Sequence, residues 1–256
     1  MISIKSKREI ELMKKAGEIV ALALKNVEEA VKPGVSTIEL DRIAEETIRK
    51  CGAIPSFKGY KAAFKNVADF PGSICASVNN EVVHGIPGLR VLKDGDIISV
   101  DIGAYINGFH GDAARTFAVG QISNEAQRLI DVTKESFFKG IEKAVKGNRI
   151  IDISGAVEDY VVENGFSVVR EFVGHGIGRE MHEEPQIPNY RCSGQRSRLE
   201  VGMTLAIEPM VNEGTHMVKI LQNGWTVITA DGKLSAHYEN TIAITENEPI
   251  ILTMLS

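Results

Sequence analysis

Cysteine is scarce in this chain of 256 residues: Cys51, Cys75 and Cys192 lie far apart and form no CxxC pair. An odd number at such spacing argues against a disulfide framework or a cysteine zinc site and fits a reducing compartment. Long apolar runs are missing as well. Stretches such as IVALAL at 19–24 fall far short of the roughly 20 residues that a membrane helix needs. The opening MISIKSKREIELMKKAGEIV mixes charge into every turn and has no signal-peptide core or cleavage site. A cytoplasmic protein without membrane contact is therefore expected. Excess positive charge is also lacking, since 29 Lys and Arg face 34 Asp and Glu, for a net −5. That balance does not suit phosphate neutralisation, so no nucleic-acid specificity is expected. Lys5, Lys7, Arg8, Lys14 and Lys15 read as a solvated helix face.

What is present is an ordinary globular composition, 43% apolar and 25% charged, with enough length for a substantial core. Three helix starts show capping-box spacing: Ser6 with Glu9, Ser36 with Glu39, and Asn124 with Gln127. The helices they open are predicted to stop near Pro33-Gly34, Gly52 and Gly147. A fourth helix is expected over 152–163, ending at Asn164-Gly165. Strand-like segments lie at 73–78, 97–106, 109–119, 203–211, 225–230 and 236–245. Helices gathered in the first two thirds, with strands joined by short turns, favour an α+β protein around a largely antiparallel sheet.

The segment SVDIGAYINGFHGDAARTF at 99–117 puts carboxylates inside an apolar run. Its Asn107-Gly108 pair is a strong type I′ turn signal, because both central residues need positive φ. A hairpin closed there sets Ile106 opposite Phe109, Tyr105 opposite His110 and Gly103 opposite Asp112. Side chains alternate faces, so Asp101 and Asp112 share one, a diagonal step apart. Converging carboxylates repel unless a cation lies between them, and Gly103 leaves room beside them. A hairpin with one solvated face is the plain alternative.

Further candidate ligands follow. FVGHGIGREMHEEP carries His175 and His182; TLAIEPM carries Glu208 before Pro209; SAHYENTIAIT carries Glu239, alternating with His237 and Thr241. GHGIG reads as a plain turn or a phosphate cradle, although it lacks the GKS or GKT ending and the GxGxxG spacing of nucleotide loops. Glu208 has Ala206 and Met210 on its own face, so both faces of its strand look buried. Buried carboxylates need partners, and a set this rich in oxygen suits Mn, Fe, Co or Zn ions, two of them if carboxylates bridge.

In order, Asp101, Asp112, His175, Glu208 and Glu239 resemble the dinuclear site of type I methionine aminopeptidases. The words VDIGAYINGFHGDAART, GHGIGREMHEEP, LAIEPMV, HYENTI and SVNNEVVHGIPG match that family's motifs over nearly the whole chain. The short span from Glu208 to Glu239 leaves no room for the helical insertion of the type II enzymes. The resemblance implies a pita-bread α+β fold, in which pseudo-symmetric halves surround a curved, largely antiparallel sheet with helices on its outer face. It implies one catalytic domain over 1–256 and two divalent ions, Co, Mn, Fe or Zn. Asp101 would hold one ion, Asp112 and Glu239 would bridge, and His175 and Glu208 would complete the other. Attack of a metal-bound hydroxide would remove the N-terminal methionine of peptides and nascent proteins, a small second residue being preferred.

Glu208 would act as general base and acid, His182 would donate to the substrate carbonyl, and His84 would face the scissile amide or leaving group. Phe57, Tyr60, Phe70, Cys75, Met181 and Trp225 would line the methionine pocket. The sequence departs from the family in a longer link within KGYKAAFKNVADFPGSIC at 58–75, which bears on that pocket. His110 shares the aspartate face but has no ligand role in the family. A monomer is expected, with ribosome association left open. The alternatives are an Xaa-Pro aminopeptidase or dipeptidase on the same scaffold and a non-enzymatic binding relative.

Overall fold

Residues 97–118 form the expected hairpin in the expected register, with Gly103 opposite Asp112 and Asp101 opposite Ala114. Asn107 and Gly108 take φ of 55° and 85°, as a type I′ turn requires. The computed structural model describes residues 2–62, 65–193 and 197–255. The first half comprises α1 (Lys7–Ala30), α2 (Thr37–Lys50), β1 (Ile54–Pro55), β2 (Ile74–Val78), β3 (Glu81–Val83), β4 (Ile97–Ile106) and β5 (Phe109–Ala118). The second comprises α3 (Asn124–Ile141), α4 (Ile150–Glu163), β6 (Ser167–Val168), β7 (Gly174–Gly176), β8 (Glu183–Ile187) and β9 (Thr204–Ile207). It ends with β10 (Met210–Asn212), β11 (Val218–Ile220), β12 (Val227–Thr229), β13 (Ser235–His237), β14 (Asn240–Ala243) and β15 (Ile250–Ile251).

Alternation along β4 decides which way the aspartates point. Ile98, Val100, Ile102 and Ala104 pack with Val20, Leu24 and Val27 of α1 and Leu40, Ala44 and Ile48 of α2. Each larger aliphatic side chain buried there contributes about 2 kcal/mol, so the helix face fixes the strand and turns Ser99, Asp101 and Gly103 away from it. Gly111 lets α1 lie directly on β5, since a Cβ there would sit 2.8 Å from the Gly17 nitrogen, whereas a Cβ at Gly17 would meet the Leu252 carbonyl. In the second half α3 and α4 cover β8, β9 and β14, through Phe137, Ile150 and Ile153 against Ile187, Leu205, Ile207 and Ile242.

The helix ends depart from the sequence reading in three places. The Ser6–Glu9 capping box forms, but Ser36 makes no side-chain cap. The first amides of α2 donate instead to the Arg90 and Gly88 carbonyls, so a neighbouring loop satisfies them and the serine is not needed. The cap of α3 is Ser123, whose hydroxyl accepts from the Ala126 amide; Gln127 reaches forward to Asp131 instead. That helix stops at Ile141 rather than near Gly147.

All pairings among the described strands are antiparallel. The sheet is divided into four hydrogen-bonded pieces. Two expected long strands are broken. The segment 203–211 becomes β9 and β10, separated by Glu208-Pro209, and 236–245 becomes β13 and β14, separated by Tyr238-Glu239. β9 pairs with β14 in one piece and β10 with β13 in another, so both chains change sheets at a glutamate. No described helix is long and apolar enough to cross a membrane.

Candidate metal centre

The edge of β5 sets the distance between Asp112 and Glu239. Residues 237–241 run beside it at a spacing of two. The Thr116 hydroxyl bonds the His237 amide and carbonyl, Glu239 and Ala114 bond through their backbones, and the Thr241 hydroxyl bonds the Asp112 amide and carbonyl. Arg115, half-buried and lying over the Tyr238 ring, donates to the Glu239 carbonyl at 2.5 Å and to Asn240 Oδ1 at 2.7 Å. The sheet change at Glu239 is thus held by the Ala114 backbone together with the Arg115 side chain.

His175 sits in β7, between Ala206 of β9 and Gln186 of β8. Its flanking glycines permit this crowding, since a Cβ at Gly174 would meet the Ala206 carbonyl at 2.4 Å and one at Gly176 the Glu184 carbonyl at 2.2 Å. GHGIG is therefore neither a free turn nor a phosphate cradle. His175 Nδ1 lies 2.8 Å from the Gly176 carbonyl. A carbonyl only accepts, so Nδ1 carries the proton and Nε2 presents its lone pair, 3.5 Å from Glu208 and 3.9 Å from Asp112.

Four carboxylates thus converge. Burial raises the pKa of all four: Asp101 to about 7, and Asp112, Glu208 and Glu239 well above the carboxylate range, these three further by mutual repulsion. Asp101 Oδ1, Asp112 Oδ1 and Glu239 Oε1 are buried without a hydrogen-bond partner. Crowded acids with orphaned oxygens are what divalent cations neutralise. Donor atoms of Asp112, His175 and Glu239 lie within 4.8 Å of one another, and so do those of Asp101, His237 and Glu239. The two groups share Glu239. The donor set, oxygen-rich with imidazole and no thiolate, fits divalent ions of intermediate hardness. Cys75, opposite Asp101 on β2, stays a protonated thiol because burial and the nearby carboxylates push its pKa well up.

A cleft of about 520 Å³ opens onto these groups, and Phe57, Tyr60, Phe70, Cys75, His84, His182 and Trp225 line it. Met181 does not; it is buried behind the wall. The space beside Gly103 is likewise not left for a cation, since a Cβ there would meet Phe57 at 3.0 Å and Met181 at 3.2 Å. The longer link closes on itself, with Gly59 donating to the Phe70 carbonyl and Phe70 to that of Tyr60. Ala63 and Phe64 of this link lie outside the described residues. The Trp225 indole donates to Ala68 and meets Phe70 edge-on, which fixes the wall from the link's side.

Tyr60 Oη lies 2.6 Å from His182 Nδ1, and the His182 ring is 4.4 Å from that of His175. Partial burial pushes the Tyr60 pKa up and burial pushes that of His182 down, so both favour the neutral form. His84, held at φ 58°, meets Phe172 and Trp225 edge-on, and burial lowers its pKa to about 4. His110 turns instead to Ser56, 2.9 Å away, and to the Tyr105 ring. The site residue that sequence reasoning passed over is His237. Its alternation with Glu239 and Thr241 was the available signal, and it resembled ordinary strand polarity.

The profile of metallopeptidase family M24 matches residues 11–246. A methionine aminopeptidase of Clostridium perfringens is 60% identical over 255 residues, covering 100% of both chains. The crystal structure of a methionine aminopeptidase from Thermotoga maritima superposes with a TM-score of 0.94 at 46% identity, covering 99% of this chain and 100% of that one. An Xaa-Pro dipeptidase from Bacillus anthracis shares the fold at a TM-score of 0.74 and 25% identity; the match covers 98% of this chain but 61% of that protein.

Proposed function

Because the chain belongs to metallopeptidase family M24, and within it to the methionine aminopeptidases, we propose that it removes the N-terminal methionine from peptides and nascent proteins. The observation that carries this reading is the convergence of Asp101, Asp112, His175, Glu208 and Glu239 at one end of an aromatic- and sulfur-walled cleft. Asp101, Asp112 and Glu239 would hold one divalent ion; Asp112, Glu239, His175 and Glu208 would hold a second, each Co, Mn, Fe or Zn. Such ions supply positive charge that polarises a carbonyl and makes water a nucleophile near neutral pH. Glu208 takes the proton of the attacking water and returns it to the leaving amine nitrogen. His182 donates to the developing oxyanion, and His84 faces the leaving group. Phe57, Tyr60, Phe70, Cys75 and Trp225 receive the thioether side chain, with Met181 supporting Phe57 from behind. On the strength of the family likeness, the reading extends to nascent chains met in the cytoplasm by a single-domain monomer.

Cleavage of Met-Ala-Ser against an Xaa-Pro dipeptide, with metal supplied, tests the reading. Methionine release is expected; preference for the prolyl substrate would overturn it.

Two side-chain changes probe the wall. A neutral His182 that accepts the Tyr60 hydroxyl at Nδ1 carries its proton on Nε2, where an oxyanion donor needs it. Tyr60→Phe is expected to lower kcat about 10-fold while leaving KM within about twofold, as steady-state kinetics would show. An equal loss in His182→Ala and in the double variant would place both in one path. Gly103→Ala presses a methyl on Ser56, Phe57 and Met181. It is expected to raise KM about 10-fold with a smaller change in kcat. An unchanged KM would show that Phe57 does not shape the pocket.

A further inference from the structure

His237 is 1% exposed, faces the cleft, and has an Nε2 buried without any hydrogen-bond partner. Native structures rarely leave such a group unmatched. Nε2 lies 3.8 Å from Glu239 Oε2 and 3.9 Å from Glu208 Oε2, and it groups with Asp101 and Glu239 within 4.8 Å. Ligand atoms about 2.0–2.2 Å from a common ion are separated by roughly 3–4 Å, so these distances suit shared coordination without movement of the backbone. The backbone itself is fixed on both sides by the Thr116 hydroxyl. A hydrogen bond to either carboxylate is excluded at these lengths.

We propose that His237 is a sixth protein ligand of the centre, bound through Nε2 to the ion held by Asp101 and Glu239. This deepens the metal-centre reading above and rests on it. Each ion then has one imidazole, His175 on one and His237 on the other. The two positions differ in neighbours but not in ligand type, and the Asp101 position is made less purely oxygen-ligated and better suited to Co, Fe or Zn than to Mn.

The test uses the metal-stripped full chain labelled with ¹⁵N-histidine and titrated with Zn²⁺ alone. The expected result is that the Nε2 resonances of both His175 and His237 move as Zn²⁺ is added. His237→Gln should remove one of them and weaken one of two binding steps at least 10-fold by calorimetry; His237→Asn serves if the glutamine variant fails to fold. A His237 resonance that stays in place while that of His175 moves would overturn the proposal and leave the metal-centre reading standing. If neither moved and no Zn²⁺ were taken up, both would fall.

Discussion

Glu208→Gln is expected to lower kcat/KM for Met-Ala-Ser by about 10³-fold or more, with most of the loss in kcat. General acid–base transfer alone contributes roughly 10²–10⁴-fold, and an amide can neither accept the water proton nor return it. The substitution is nearly isosteric. It also removes a buried acid whose pKa is raised by burial and by repulsion from Asp112 and Asp101, so the variant should fold at least as stably as the parent. Asp112→Asn should fall as far by another route. Asp112 is 3% exposed, and its carboxylate belongs with His175 and Glu239, so an amide nitrogen there turns a donor pair into a single donor. Direct metal analysis separates the two: Glu208→Gln should keep most of its metal, Asp112→Asn should lose much of it. Near-normal turnover of either variant with metal supplied would sink the mechanism.

The hairpin was readable in the sequence because every rule that governs it is local. Asn107-Gly108 fixes the turn, the turn fixes the register, and strict alternation puts Asp101 and Asp112 on one face. His175, Glu208 and Glu239 join the candidate ligand set by likeness to a family, and the fold explains why spacing alone does not place the two glutamates. Glu208 and Glu239 stand where chains leave one sheet for another, and that change depends on distant groups: Arg115 on the Glu239 carbonyl and Asn189 on the Glu208 carbonyl. The failed Ser36 cap has the same origin, since the amides of α2 found partners in a loop fifty residues on. The glycines around His175 were visible, but their reason was not, because it lies in carbonyls of β8 and β9 that only the folded chain brings within reach. His237 was hidden for the opposite reason: its spacing fitted a bland strand too well.

The metal-stripped protein should lose stability as pH rises from 6.5 to 8.5, the reverse of most proteins whose acids are paired. Asp101 titrates near 7 when folded and near 3.8 when unfolded, and Asp112, Glu208 and Glu239 are raised further. The folded state therefore holds more protons than the unfolded state over this window, so the stability these acids contribute at low pH is lost as they are forced to ionise. Below about pH 6.5 the sign is opposed. Burial depresses His84 and His110 to about 4 and His175 and His237 to about 3, so there the unfolded state gains protons that the folded state refuses. The two trends should offset on the acid side and leave the carboxylates in control above 6.5. A loss of about 2 kcal/mol or more over two pH units corresponds to a Tm lower by roughly 4–8 °C in a protein of this size. Adding Co²⁺ or Mn²⁺ should reverse the slope, because binding needs the deprotonated acids and releases their protons; the metal-induced rise in Tm should then be larger at pH 8 than at pH 6.5. Calorimetric melts of the stripped and loaded protein across this range check both signs. A stripped protein that grows more stable towards pH 8.5 would mean that the four carboxylates are already ionised and compensated by the fold itself, and the argument that they await a cation would fail.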